Sequence, residues 1–284
     1  MRKDIDREIS VIIAVYNRAR YFRYCLESLA GQTYKNFEVI VADDGSSSEI
    51  KEVVRDFRGA FPIKHVWQED AGFRKCLILN KAVKISNGEK LFFFDGDVIV
   101  HPKYLETSRE CVRRGQYIVS RSTYLSELLT KIILRKKMTV RNIFGPLFFP
   151  FILYDWLFGK TRFFEYGIFL LEFLFLSARR FKKDKHIFGR CWAVARSDYE
   201  DVNGYNNEFI GAYHEDFELT SRLKFAGLKP VLFINRAVTY HLHHKKVPEN
   251  RDNKILQFKT EKMKKKTCEN GLAQIKKNDV TELD

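Results

Sequence analysis

Four short apolar runs, Ser10–Val15, Phe37–Ala42, Ile63–Trp67 and Leu91–Phe94, alternate with stretches whose apolar residues recur at helical spacing. After the first run come Tyr21, Phe22, Cys25, Leu26 and Leu29, stopped by Gly31; Ser48–Phe57 and Phe73–Lys84 repeat the helical pattern. Runs that stay apolar throughout, joined through helices, fit a parallel sheet covered on both faces. The chain is therefore expected to be an α/β protein, with a mostly parallel central sheet flanked by helices. Ligands of such sheets bind beyond the carboxyl ends of the strands. Those ends read Val15-Tyr16-Asn17, Asp43-Asp44-Gly45, Gln68-Glu69-Asp70 and Asp95-Gly96-Asp97, and three of them carry carboxylates.

At 284 residues the chain is long enough for one large α/β unit with a full core. No Gly/Ser- or Pro-rich linker divides it, so residues 1–244 are expected to form one domain and 245–284 a basic C-terminal helix with a frayed tail. Residues from about 123 to 185 stand apart as an insertion: eleven of the 25 phenylalanines fall between Phe144 and Phe181, with Trp156, leucines and flanking Arg and Lys. Regular patterning returns at Phe188–Ala195, runs through a helix from about His214 to Ala226 ended by Gly227, and closes with strands near Val231–Ile234 and Ala237–His241.

Fifty Lys plus Arg against 36 Asp plus Glu leave a formal charge of +14, which suits an anionic partner: a nucleoside diphosphate, an anionic lipid or a nucleic acid. A basic nucleic-acid-binding protein is thus one alternative. No zinc, RNP or basic-helix signature supports it, and a carboxylate-rich edge repels phosphate unless a metal intervenes. The five cysteines are scattered, with no CxxC pair, as expected of reduced, buried thiols in a cytosolic protein. Met1–Glu8 alternates charges without an apolar core, so neither a secretory leader nor a transit peptide is expected, and the expected location is cytoplasmic.

Asp95 and Asp97 stand two apart directly behind an apolar strand, which puts them on one face, and Gly96 between them lets the backbone turn sharply toward a ligand. Hard carboxylate oxygens suit Mg2+ or Mn2+, which neutralises charge on a departing diphosphate. Arg74, with Lys75, follows the Gly72 turn at a helix start, where an anion is favoured; the plain alternative is a surface pair between Arg74 and Asp70. Glu215-Asp216 opens another helix, where carboxylates are mildly favoured in any protein.

The segments Ser10-Val-Ile-Ile-Ala-Val-Tyr-Asn17, Gln32-Thr33, Asp43-Asp44-Gly45-Ser46 and Asp95-Gly96-Asp97 together resemble the family 2 glycosyltransferases of the GT-A (Rossmann-like) fold. The resemblance covers almost everything except the Phe-rich segment and the tail. Asn203-Gly204-Tyr205 followed by Gly211-Ala212-Tyr213-His214-Glu215-Asp216 resembles the acceptor motif of the galactosyltransferase-like and chondroitin-polymerase-like branch, with Ala212-Tyr213-His214 where a Trp and glycines are usual. That departure bears on the acceptor sugar.

The resemblance implies an inverting, metal-dependent hexosyltransferase. It would move a sugar from a nucleoside-diphosphate-sugar, UDP-sugar first, to a hydroxyl of a glycan or lipid-linked saccharide in surface polysaccharide biosynthesis. Val15, Tyr16 and Asn17 would wall the nucleotide pocket and Asp44, preferred over Asp43, would accept from the base; Arg74, Asp95 and Gly96 would complete the donor site, and Asp43 is of a type that commonly caps a turn or holds a neighbouring backbone. Asp216 would be the general base and Glu215 would bind acceptor or donor sugar. The metal, Mn2+ or Mg2+, would be held by Asp95 and Asp97 with a histidine from His241, His243 and His244, of which His241 is preferred and His244 second. A catalytically inactive, membrane-associated scaffold is a further alternative, against which stand the intact Asp44, Asp95, Asp97 and Asp216.

Phe144–Phe175 has the composition of a segment lying in a membrane interface, with an insertion packed on its own domain or an oligomer contact as the other reading. Asp155, Lys160, Arg162, Glu165 and Glu172 interrupt it before any uncharged run reaches the roughly 18 residues a spanning helix needs. Peripheral contact with the inner face of the cell membrane is the resulting expectation.

Overall fold

A computed structural model describes residues 7–136, 138–158, 160–168, 186–236 and 238–284. Among the described residues there are eleven strands: β1 (Ile9–Val15), β2 (Phe37–Asp43), β3 (Ile63–Trp67), β4 (Lys90–Asp95), β5 (Val98–Val100), β6 (Gln116–Ser120), β7 (Thr123–Tyr124), β8 (Cys191–Ala195), β9 (Lys229–Phe233), β10 (Thr239–His241) and β11 (Thr281–Leu283). The main sheet runs β11-β3-β2-β1-β4-β8-β6-β9. Its centre, β3-β2-β1-β4, is parallel, whereas β8 is antiparallel to both its neighbours. The expected α/β architecture is the observed one.

The run Leu91-Phe92-Phe93-Phe94 shows why these strands are apolar on both faces. Phe92 and Phe94 join Val11, Ile13 and the helix Ala19–Ala30 in one core layer, while Leu91 and Phe93 join Ile12, Ile40 and the helix Lys75–Ile85 in the other. Successive strand residues point to opposite faces, so a strand sandwiched between helix layers needs apolar residues at every position.

Parallel pairing brings four strand ends to one edge: Val15 lies opposite Asp43, Ala14 opposite Asp95, and Asp43 opposite Trp67. A second, three-stranded sheet, β5-β10-β7, leans on this edge. In it His241 pairs with Val98, and Leu242 N donates to Asp97 O at 3.0 Å, so β10 carries its histidine to the turn that follows β4.

The expected frayed tail is instead ordered structure. The helix Arg251–Met263 is followed by two short turns of helix and β11, which pairs antiparallel with β3. Polar composition hides this strand, because it seals a sheet edge through backbone bonds that any residue can supply. All five cysteines are free, four of them buried. Of the aromatic insertion, residues 169–185 lie outside the described residues, together with the Phe169, Phe173, Phe175 and Phe181 that the sequence reading counted there.

Candidate active site

Asp43 and Asp44 divide the labour at the end of β2. Asp43 is buried against His65 (Oδ2 to Nε2, 2.8 Å) and accepts from Ser46 N at 2.8 Å, which is the turn-capping role. Asp44 accepts from Gln68 Nε2 at 2.6 Å and from Arg74 N at 2.8 Å. Burial raises its carboxyl above the usual range, and these two donors oppose the shift. Arg74 therefore serves Asp44 through its backbone N–H, while its guanidinium bonds the carbonyl of Glu69 rather than Asp70. Asp70 instead accepts from the Tyr16 hydroxyl at 2.8 Å.

The chain leaves β1 through two consecutive left-handed residues, Asn17 (φ 54°) and Arg18 (φ 56°). Asn17 is fixed there by Ser46 Oγ, which accepts from its N–H at 2.7 Å, and by Ser47 N, which donates to its side chain at 3.1 Å. Val15 O accepts from Asp44 N at 3.0 Å, so the ends of β1 and β2 form one wall. The turn places the Arg18 guanidinium 3.3 Å from Asp97.

The two aspartates of Asp95-Gly96-Asp97 face different partners. Asp95 Oδ1 lies 2.7 Å from Lys75 Nζ, the first residue of its helix. Lysine at a helix N-terminus opposes the helix dipole. Here it is held by acids: burial disfavours the ammonium, but Asp95, Asp216 and Glu215 outweigh that and raise its pKa. Gly96 is not in the left-handed region; its N–H donates to Ala14 O at 2.9 Å, and a Cβ there would sit 3.2 Å from that oxygen and 3.4 Å from the Phe22 and Val15 side chains. The missing side chain lets the triplet lie close against β1.

Asp97 faces His241 Nε2 at 3.3 Å and His244 Nε2 at 3.1 Å. One donor atom from each of Asp97, His241 and His244 lies within 4.8 Å of the others. Burial pushes the Asp97 carboxyl up, but His241, His244 and Arg18 together hold it well below the usual range. His241 is pushed down to about 4 by burial, against the pull of Asp97, whereas the hydrogen bond to Asp97 raises His244. Asp97 Oδ1 and His241 Nδ1 are buried and make no hydrogen bond. One carboxylate oxygen and two imidazole nitrogens, converging with an unsatisfied oxygen among them, fit a divalent ion such as Mn2+, which accepts nitrogen as well as oxygen. His243 is not in this group; its backbone N–H donates to Thr130 Oγ1 at 2.9 Å.

Glu215 and Asp216 open the helix Glu215–Phe225 after two left-handed residues, Tyr213 and His214. Asp216 Oδ1 accepts from the Tyr205 hydroxyl at 2.9 Å, and Tyr205 accepts from Trp192 Nε1 at 3.1 Å. Trp192 in turn stacks on Phe93, with ring centroids 4.4 Å apart. A Cβ at Gly189 (φ 62°) would fall 2.7 Å from Asp216 Oδ2 and 3.0 Å from Lys75 Nζ, so only glycine allows these two groups to close on the backbone. Burial raises the Asp216 carboxyl, with Lys75 and Tyr205 acting the other way. Glu215 is pushed up to about 8, first by burial and then by Asp216, and its Oε2 is buried without a partner.

The structure thus gathers two neighbouring groups, Asp95-Lys75-Asp216 and Asp97-His241-His244, beside the β1–β2 wall. Sequence reasoning named Lys75 only beside Arg74 and Tyr205 only within a motif, giving neither a role of its own, and did not single out Arg18 or Gly189. Lys75 had a further signal in its misfit with the helix dipole; Arg18 and Gly189 carry none.

The model of the family described as "Glycosyl transferase family 2" matches residues 10–201, and that of "N-terminal domain of galactosyltransferase" matches residues 176–246. The chain belongs to glycosyl transferase family 2. Among curated members, it is 32% identical over 139 residues to the chondroitin synthase of Escherichia coli, covering 45% of this chain and 20% of that one. It is 38% identical over 101 residues to the validoxylamine A glucosyltransferase of Streptomyces hygroscopicus subsp. jinggangensis, covering 35% of this chain and 24% of that one. This family member therefore spans a quarter or less of the length of these relatives.

Among solved structures, the S. aureus TarS fragment 1-349 in complex with UDP aligns with a TM-score of 0.59 at 15% identity, covering 90% of this chain and 65% of that one. The mannosyltransferase PcManGT from Pyrobaculum calidifontis, in complex with GDP-Man and Mn2+, aligns at 0.56 and 15%, covering 86% and 59%. The fold is that of the GT-A glycosyltransferases.

Proposed function

We propose that this chain is an inverting, metal-assisted glycosyltransferase that moves a hexose from a nucleoside-diphosphate-sugar, a UDP-sugar first, to a hydroxyl of a glycan or lipid-linked saccharide in surface polysaccharide biosynthesis. The observation that carries this reading is the convergence, at one sheet edge of a family 2 chain, of Asp44, the Asp95-Lys75-Asp216 group and the Asp97-His241-His244 group. The domain of residues 1–244 would hold the whole of this site.

Asp44, oriented by Gln68 and Arg74 N, is the acceptor for a base N–H, and Val15, Tyr16 and Asn17 line the nucleotide's side. When bound, a divalent ion on Asp97, His241 and His244 supplies neutralisation of diphosphate charge. Lys75 holds Asp95 beside that place. Asp216, steadied by Tyr205, takes the proton of the acceptor hydroxyl as its oxygen bonds the anomeric carbon; the bond from that carbon to the diphosphate oxygen breaks and the nucleoside diphosphate leaves with the electron pair. One displacement inverts the anomeric centre. Glu215, buried and unpartnered on one oxygen, is placed to meet a sugar hydroxyl.

The reading extends to peripheral contact with the inner face of the cell membrane; among the described residues no helix is long and apolar enough to cross a bilayer. The deciding experiment is a panel of UDP-, GDP- and dTDP-sugars with Mn2+, scored by thermal stabilisation and by nucleoside diphosphate release. Stabilisation by one nucleotide class, with release lost in Asp216→Asn, is expected; no response to any donor overturns the reading.

A further inference from the structure

The helix Phe149–Leu157 and its flanks are apolar on both their buried and their exposed sides. On the inner side of the helix Phe149–Leu157 and its flanks, Phe148 and Ile152 are buried with Leu129, Ile133, Val238 and Tyr240. The opposite side is apolar as well. Phe151 (58% exposed), Tyr154 (62%) and Phe158 (61%) follow one another at helical spacing, and Leu147 (84%) precedes Phe151 by four residues. Leu157 and Trp156 extend the patch. Single exposed apolar residues are ordinary, but a contiguous stripe with its own buried counterpart marks an interaction surface.

The charges around the stripe identify its partner. The acid of this stretch, Asp155, is turned inward and accepts from Thr161 Oγ1 at 2.5 Å. The charged residues left outside between Thr139 and Phe164, Arg141, Lys160 and Arg162, are cationic, and an exposed acid, Glu165, follows them. A protein partner's apolar groove does not ask for one sign of charge at the rim, whereas an anionic phospholipid surface does. Aromatic and leucine side chains amid cations, on a helix too short to span, match burial at the boundary between headgroups and acyl chains.

The surface also adjoins the candidate site. Trp156 stacks on Phe164 at 5.1 Å between ring centroids, and the preceding residue, Phe163, lies 5.5 Å from Tyr124, which lies 5.0 Å from the ring of His241. We propose that Leu147, Phe151, Tyr154 and Phe158 insert into the interface of an anionic phospholipid bilayer while Arg141, Lys160 and Arg162 meet its headgroups. This deepens the membrane contact in the functional reading, and it sets the sugar-transfer edge beside the bilayer, where a lipid-linked saccharide presents its hydroxyl.

The test is sedimentation of the full chain with vesicles of phosphatidylcholine alone and of phosphatidylcholine mixed with phosphatidylglycerol, alongside thermal melting and size-exclusion chromatography. The wild type is expected to bind the mixed vesicles in a salt-sensitive way. The variant L147S/F151S/Y154S/F158S should lose tenfold or more in partition, and R141E/K160E/R162E on the order of a hundredfold, each with its melting temperature unchanged. Absence of wild-type binding, or undiminished binding by the serine variant, overturns the proposal. So does a clear fall in the serine variant's melting temperature, which would mean that the chain itself covers the stripe, or a wild-type dimer that this variant dissociates, which would make a second copy the occupant. Because vesicle binding is read without turnover, a failure of the donor panel leaves this result intact, and the reverse also holds.

Discussion

Lys75 Nζ lies 2.7 Å from Asp95 Oδ1, so the first carboxylate of Asp95-Gly96-Asp97 is engaged by a lysine while the second faces two histidines and an arginine. Two acids that the sequence places side by side thus belong to different electrostatic groups. Replacing Lys75 by Met leaves Asp95 and Asp216 without their cation. Breaking a fully buried pair costs about 3–5 kcal/mol; Asp95 is 25% exposed, so a loss of about 1–3 kcal/mol in denaturant unfolding is expected. Lys75→Arg should recover most of the stability and only part of the transfer rate, since a planar fork does not reproduce a point charge. Wild-type rates in Lys75→Met would remove Lys75 from the site.

Asp216→Asn should lower transfer by about a hundredfold to ten-thousandfold, the usual contribution of a positioned base, while donor binding by calorimetry stays within about twofold of wild type. Tyr205→Phe removes the hydrogen bond to Asp216 and leaves Trp192 Nε1 without its acceptor. A tenfold or greater fall in kcat is expected for it, with stability reduced by about 1–3 kcal/mol for the unpaired indole. Equal kcat in Tyr205→Phe and wild type would show that Asp216 needs no such support.

Mn2+ should raise the melting temperature of the wild type without any nucleotide, because an ion that binds only the folded chain adds about 2.7 kcal/mol at a hundred times its dissociation constant. Asp97→Ala, His241→Ala and His244→Ala should each abolish most of that shift. Asp95→Ala should retain more of it than they do, since Asp95 lies on Lys75. An unchanged Mn2+ titration in His241→Ala would break the assignment.

Glu215 supplies a pH signature. Burial, and then Asp216, lift its pKa from the ordinary 4.5 to about 8. An acid whose folded pKa exceeds its unfolded one stabilises the fold fully below the unfolded value, and loses that contribution as pH rises through the folded value. Wild-type stability should therefore decline relative to Glu215→Gln between about pH 4.5 and 8. Parallel stability profiles across that range would contradict a buried, protonated Glu215.

What could be read in the sequence follows the range of the interactions involved. The strand-and-helix alternation from Ser10 to Phe94 is local patterning, and parallel pairing then forces Asp44 and Asp95 to one edge without further information. The partnership of Asp97 with His241 depends on β10 meeting β5, a contact between residues about 140 apart in sequence that no periodicity announces. There, only the family resemblance pointed to a histidine. Arg18 reaches Asp97 because Asn17 and Arg18 adopt left-handed backbone, which neither residue type demands. The roles of Tyr205 and Gly189 are products of packing: each matters because of what lies across from it.

The antiparallel addition of β11 to β3 also bears on how copies of this chain avoid one another. An open strand edge is a template for pairing with a neighbouring molecule. The chain's own final strand occupies that template on one side of the main sheet. On the other side the outermost strand among the described residues, β9, contains Pro230, which has no N–H to offer an incoming strand. Filled on one flank and interrupted on the other, the sheet is protected against growing into a multimer by strand addition, so deletion of residues 281–283 would be felt first as aggregation at high concentration.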